Sequence, residues 1–343
     1  MSDNAKPGRR GAFVGILVLV AAALIIGAIM LIYFVGSLGD PAMPQVVIVT
    51  PTMRTPADVG VQSLVPVGDG PAALAFDVIH KRLWIAYFDD DSVQAIDPLT
   101  REAAGKPIPV GDGPADLALD TRRARLWVAN FNENTVQAID VVGGAVAVAP
   151  IPIEGAPTDL VFDGIRIWVA NFDEDTVEAI DSATGTPNRS VRVGDGPIAL
   201  AFDGIRVWVA NALDDTVQSI DPVTGRAGTP ISVGDRPNAL AFDGTRLWVL
   251  NFGDFTVQAI HPVTTRADEP IAVGREPYTL AYDGRRVWVA NRMDQTLQAV
   301  DVITHRASEP IPVDDSPWAL EFDGTRLWIA LADSNALQVI VVR

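Results

Sequence analysis

The sequence predicts an all-β fold: a seven-bladed β-propeller whose ring is closed by an N-terminal strand completing the last blade, preceded by one transmembrane helix. Three observations carry this. The run RVWVANALDDTVQSID, Arg206 to Asp221, has near copies starting at Arg125, Arg166 and Arg246, and a period of about 40 residues is the length of one four-stranded blade. Within each copy, short β-branched and aromatic runs are separated by Gly, Pro, Asn and Asp, which is the pattern of antiparallel strands and tight turns. The last copy stops at Arg343 after its third run, whereas Val61 to Gly68 is a fourth run with no blade in front of it.

In chain order, residues 1–10 carry Lys6, Arg9 and Arg10 and read as a cytoplasmic N-terminus. Residues 11–36 read as the transmembrane helix. The stretch from Ala12 to Val35 holds no charged residue and would span about 36 Å as a helix, enough for a bilayer. It exceeds a secretory h-region and no small-x-small cleavage site follows, so a retained, single-pass anchor is expected. No Lys or Arg appears after it until Arg54, so the positive-inside rule places everything downstream in the periplasm or at the cell exterior. Residues 37–60, with their prolines and glycines, read as an extended linker, and 61–343 as the propeller.

The fourth copy shows the layout of a blade: GDGPIALAFDG, then RVWVAN, DDTVQSID and RAGTPISV. First strands follow Pro71, Pro114, Pro157, Pro197, Pro237, Pro277 and Pro317, and the second strands carry Trp84, Trp127, Trp168, Trp208, Trp248, Trp288 and Trp328. Pairing Val61 to Gly68 onto the last blade would remove the open edges of the ring. The W-V-A-N run, the T-V-x-x-I-D run and the V-G-x-x-P junction resemble the YVTN-type β-propeller repeats of bacterial and archaeal surface proteins, with Trp where that family often has Tyr. The resemblance covers about residues 60–343. It implies a fold and leaves the activity open, because one propeller scaffold hosts many functions.

Residues shared by every blade read as structure. The tryptophans are expected to pack between blades, and Asn130, Asn171, Asn211, Asn251 and Asn291 to start the turn that ends each second strand. In F-D-G-x-R turns such as Asp203 to Arg206, Asp–Arg pairs are expected to buttress one rim. Strand direction puts the blade-junction loops and the second-to-third-strand hairpin loops on one face, the top. Those loops hold essentially the whole net charge of −17. A solvated acidic surface is the plain reading of that charge. The sharper one is a docking face for a basic protein, or for a cation held by Asp89, Asp90 and Asp91 or by Asp173, Glu174 and Asp175, although neither run has the D-x-D-x-D-G spacing of a calcium loop.

One sector departs from the pattern. After the junction proline stand Ala72, Ala115, Thr158 and Ile198 in the first four blades, but Asn238, Tyr278 and Trp318 in the last three. Over the same blades the top loops acquire Arg236, Arg275 and Arg292. First strands line a propeller's axis, so these six residues are the candidate binding site, an aromatic surface beside guanidinium groups at the channel mouth.

Composition narrows the function. The chain has no cysteine and three histidines, His80, His261 and His305, which excludes thiolate chemistry and a histidine-rich metal site. The acidic balance argues against nucleic acid. No nucleophile–base pair or phosphate loop recurs, so the expectation is a non-enzymatic scaffold, or accessory subunit of a membrane complex, with a protein partner and no cofactor. The alternative classes are a cation-binding surface protein and an enzyme resembling virginiamycin B lyase. That resemblance would need a His and acidic residues about a metal near the axis, and the three histidines here fall at the bottom.

Overall fold

The computed structural model describes residues 60–61 and 64–342. The expected cytoplasmic segment, transmembrane helix and linker as far as residue 59 lie outside the described residues.

Seven antiparallel sheets form the described chain. Blade one comprises Pro71–Asp77, Arg82–Tyr87, Ser92–Ile96 and Ile108–Pro109, and the first strand of each later blade again opens on the junction proline. The seven first strands contact one another in cyclic order, Pro317–Phe322 of blade seven returning to Pro71–Asp77 of blade one. They therefore line a central axis, as the sequence predicts.

Closure is also as expected. Gly60–Val61 and Val65–Pro66 pair antiparallel with Ala336–Val341, in register Gly60 with Val341 and Val65 with Leu337. Two side-chain bonds at the top complete the seam: Asn335 Oδ1 accepts from Gly70 N at 3.0 Å, and Asn335 Nδ2 donates to Asp69 Oδ1 at 2.7 Å. The outer strands are less regular than a uniform four-strand blade. In blades four to six the fourth strand is split, as in Arg226–Ala227 and Ile231–Ser232. Pro230, Pro270 and Pro310 sit in the gaps, where a residue without an N–H cannot join the ladder.

The core lies between blades. Each second strand turns its Trp toward the following blade and its flanking aliphatics toward the preceding one, so Trp208 packs with Leu247, Val249 and Ile260, and Trp328 with Leu83 and Ile85 across the seam. In blades three to seven the indole N–H is satisfied by the turn aspartate five residues upstream, for example Trp208 Nε1 to Asp203 Oδ2 at 2.8 Å. The other oxygen of that carboxylate closes the turn by accepting the N–H groups of Ile205 and Arg206. Replacing Trp208 with Ala should thus cost about 3–5 kcal/mol in a denaturant melt, through the cavity and a carboxylate deprived of its donor. A loss below 1 kcal/mol would contradict the packing role.

The expected Asp–Arg rim holds in three of the five F-D-G-x-R turns, where Asp163–Arg166, Asp283–Arg286 and Asp323–Arg326 pair at 3.2, 2.9 and 3.8 Å. Arg206 instead donates to Pro262 O at 2.8 Å, and Arg246 pairs with Asp268. Arg206 thereby reaches the next blade, whereas Arg246 stays within its own, bonding the residue that follows the strand Arg266–Ala267. The asparagines are structural, but they do not simply bond their own backbone. Asn211 Nδ2 donates across the hairpin to Thr216 Oγ1 and Gln218 Oε1, both at 3.0 Å, and Gln218 Oε1 accepts Gly194 N at 2.8 Å. A Cβ on Gly194 would sit 2.7 Å from that carboxamide nitrogen, so the junction glycine lets the loop lie against the Asn.

Candidate functional site

On the top face the hairpin acids have a structural task. The third hairpin residue accepts a backbone N–H of the junction loop entering its own blade: Asp90 from Asp69, Asp214 from Asp195, Asp254 from Asp235 and Asp294 from Arg275, at 2.8–2.9 Å. The fourth residue reaches the next junction, as Asp91 does to Gly113 N, Asp175 to Gly196 N and Asp215 to Arg236 N. Of the candidate cation ligands, Asp90, Asp91 and Asp175 are therefore occupied in capping, and Asp89 packs over Gly70. Asp173 and Glu174 remain exposed. Among the described residues no three His, Asp or Glu side chains come together as a ligand set.

Four of the six candidate binding residues converge at the channel mouth. Asn238 Nδ2 donates to Tyr278 O at 3.1 Å, which ties blade five to blade six. The Tyr278 and Trp318 rings meet edge to face, 5.0 Å between centroids at 65°. Over both lies the Arg292 guanidinium, 4.3 Å from the Trp318 centroid and 5.5 Å from that of Tyr278. Burial pushes the Tyr278 phenol above its ordinary pKa, and Arg292 draws it back. The other two arginines stand outside this cluster. Arg275 pairs with Asp294 at 2.6 Å, and Arg236 lies over Phe252 at 5.1 Å with Asp235 beside it at 3.7 Å. Two polar atoms at the mouth are buried without a hydrogen-bond partner, Trp318 Nε1 and Asn238 Oδ1.

Three exposed apolar residues of the same face escaped the sequence reading. Leu213, Phe255 and Met293, on the hairpin loops of blades four to six, are 63%, 37% and 56% exposed. Phe255 also holds φ at +55°, a left-handed conformation that costs an aromatic residue roughly 1–3 kcal/mol and that other blades give mainly to Asp or Asn. The signal was available, since Phe255 breaks a run of Asp and Asn at the fourth hairpin position.

Deeper in the channel lie three carboxyl groups that the sequence reading also missed. Asp116 Oδ2 accepts Leu160 N at 2.8 Å, Asp159 Oδ2 accepts Leu200 N, and Glu321 Oε1 accepts Phe76 N at 3.0 Å. Each thus satisfies an edge N–H of the following blade's first strand and ties neighbouring blades together at the axis. Desolvation raises the pKa of both Asp116 and Asp159, and the mutual proximity of the two carboxyl groups pushes Asp159 further. Glu321 is pushed up to about 7, chiefly by burial. An acid inside an otherwise apolar first strand, as in PADLALD and PWALEF, marks these positions in the sequence.

The histidines sit on the bottom rim. His80 Nδ1 lies 2.7 Å from Asp77 Oδ2, and His305 meets Trp248 edge on at 5.3 Å. His261 Nδ1 faces the N–H groups of Val263 and Thr264, where five other blades place an aspartate.

No family model matches the chain, and no curated protein matches it. Among solved structures it is similar to a chain of Kuenenia stuttgartiensis hydrazine synthase, at 18% identity and a TM-score of 0.71, covering 82% of this chain and 97% of that one. At that identity the likeness is one of fold: the described chain is an all-β, seven-bladed propeller.

Proposed function

We propose that this chain is a non-enzymatic, membrane-tethered propeller of the YVTN-repeat kind. Its top face in blades five to seven binds a protein partner outside the cytoplasmic membrane, as a scaffold or an accessory subunit of a membrane complex. The observation that carries the reading is the Arg292 guanidinium laid over Tyr278 and Trp318, with no carboxylate within ion-pair distance among the described residues. Aromatic rings and an arginine are the residue types that dominate protein recognition. Phe255 and Met293, on the hairpin loops of blades five and six, add exposed apolar area to the same face, while the acidic loops of blades one to three exclude like-charged competitors.

The axial carboxylates are the one arrangement that favours a catalytic reading, since a group near pH 7 suits acid–base chemistry. We assign them to blade cohesion, because each is held by a backbone N–H of the next blade. The test is co-purification from detergent-solubilised membranes. Replacing Arg292 and Trp318 with Ala should remove the partner while the melting temperature shifts by less than about 5 °C, and an Asp89→Ala control should retain it. A partner that survives the double variant would return this sector to ordinary surface.

A further inference from the structure

The bottom rim is apolar in a way its turns do not require. Among the described residues six large apolar side chains are 71–78% exposed: Leu99, Val142, Ile205, Val223, Val263 and Ile303. All six are on bottom turns, and five occupy the same place in the third-to-fourth-strand turn. The backbone there is already satisfied: Asp97 accepts Leu99 N at 2.7 Å, Asp221 accepts Val223 N at 2.8 Å and Asp301 accepts Ile303 N at 3.0 Å. Any polar residue would serve at the tip. Scattered exposed aliphatics are ordinary, but equivalent positions around one rim form a surface.

The charge on that rim is arranged to match. Asp77, Asp120, Asp163, Asp283 and Asp323 point inward, with side chains at most 4% accessible. Lys81, Arg122 and Arg285 in the same turns are exposed. At the first-to-second-strand turns the exposed charge is therefore cationic, while at the third-to-fourth-strand turns the exposed tips are aliphatic beside aspartates that bind the turn backbone, of which Asp221 stays exposed. The chain also enters from this side: Gly60 pairs with Val341, at the lower end of the strand that descends from Ala336.

We propose that the bottom rim is a membrane-contact surface, its aliphatic tips seated at the headgroup–acyl boundary of a bilayer and its exposed Lys and Arg on anionic headgroups. The inference deepens the tethered reading and rests on it for the presence of a bilayer; the choice of face comes from the ring alone.

Two arms test it. The chain lacks cysteine, so Ile303→Cys and Leu213→Cys each give a single dye site in the full-length protein. Reconstituted in phosphatidylcholine–phosphatidylglycerol vesicles, the dye at position 303 should be quenched by acyl-brominated lipid and the dye at position 213 should not. Equal quenching, or the reverse, overturns the proposal. In the second arm residues 54–343, whose ring closes from Gly60 onward, are floated with the same vesicles. Binding should weaken with salt and fall about ten-fold in the Val223→Ser, Val263→Ser, Ile303→Ser variant. No binding by the folded ring, or no change in the variant, also overturns it. Release of the full-length chain from membranes by alkaline carbonate would defeat the tether alone and leave the second arm standing.

Discussion

Removing residues 1–58 is expected to leave a soluble ring that melts cooperatively, whereas removing residues 1–68 is expected to leave a chain that aggregates. The longer deletion takes away Gly60–Val61 and Val65–Pro66, and with them the partners of the last strand. It also removes buried Val65 from the core shared with Leu83, Ile85 and Trp328. What is uncovered matters more than what is lost. Ala336–Val341, ALQVIV, is uncharged, rich in β-branched residues and free of proline, the composition of a strand that pairs with other chains when its edge is open. The backbone bond from Val67 N to Asn335 O disappears. Size-exclusion chromatography and thermal melts of the two proteins decide the matter. If both are equally monomeric and equally stable, the N-terminal strand does not close the ring.

The repeat itself explains why so much of this fold was legible. Seven copies restate each rule, so strand order, the inter-blade tryptophans, the two rims and the closing strand all follow from spacing and turn chemistry. The candidate cluster was legible as a deviation: Asn238, Tyr278 and Trp318 occupy a position that is small or aliphatic in most other blades, and the structure brings them together with Arg292. Arg236 and Arg275 were grouped with them because sequence gives the loop but not the reach of a side chain, and each finds a nearer partner. For the arginines of the F-D-G-x-R turns the i,i+3 spacing gives the ion pair in three of five turns, and the i,i+5 Asp–Trp spacing gives in all five a hydrogen bond from a buried indole. Arg206 and Arg246 find other oxygens, because here too sequence does not give the reach of a side chain. The axial acids stayed hidden because a single Asp or Glu in a strand reads as an outward position, and only the closed ring turns that position toward unpaired N–H groups of the next blade.

Those axial acids give the last prediction, an unusual direction for stability against pH. A carboxyl whose folded pKa is raised binds its proton more tightly in the folded state, so its contribution is fully present below the unfolded pKa and is lost as pH rises through the folded one. For Glu321, raised from 4.5 to about 7, the loss falls between about pH 4.5 and 7 and amounts to up to about 3 kcal/mol. Asp116 and Asp159 act in the same direction. The turn-capping groups oppose them at lower pH. Backbone N–H groups of Leu99 and Thr100 lower the pKa of Asp97, those of Thr224 and Val223 lower Asp221, and that of Arg275 lowers Asp294. Their contribution is present above the unfolded value and lost as pH falls through the folded one. Stability should therefore peak on the acid side of neutrality, near about pH 5, and decline toward pH 8, helped by the self-repulsion of a chain at −17. Glu321→Gln keeps an oxygen for Phe76 N–H and removes the charge. It should raise the melting temperature at about pH 8, leave it nearly unchanged at about pH 5, and flatten the slope between them. A variant less stable than the parent at both pH values would show that Glu321 is ionised and favourably held in the folded ring, and the assignment of a raised pKa would fall.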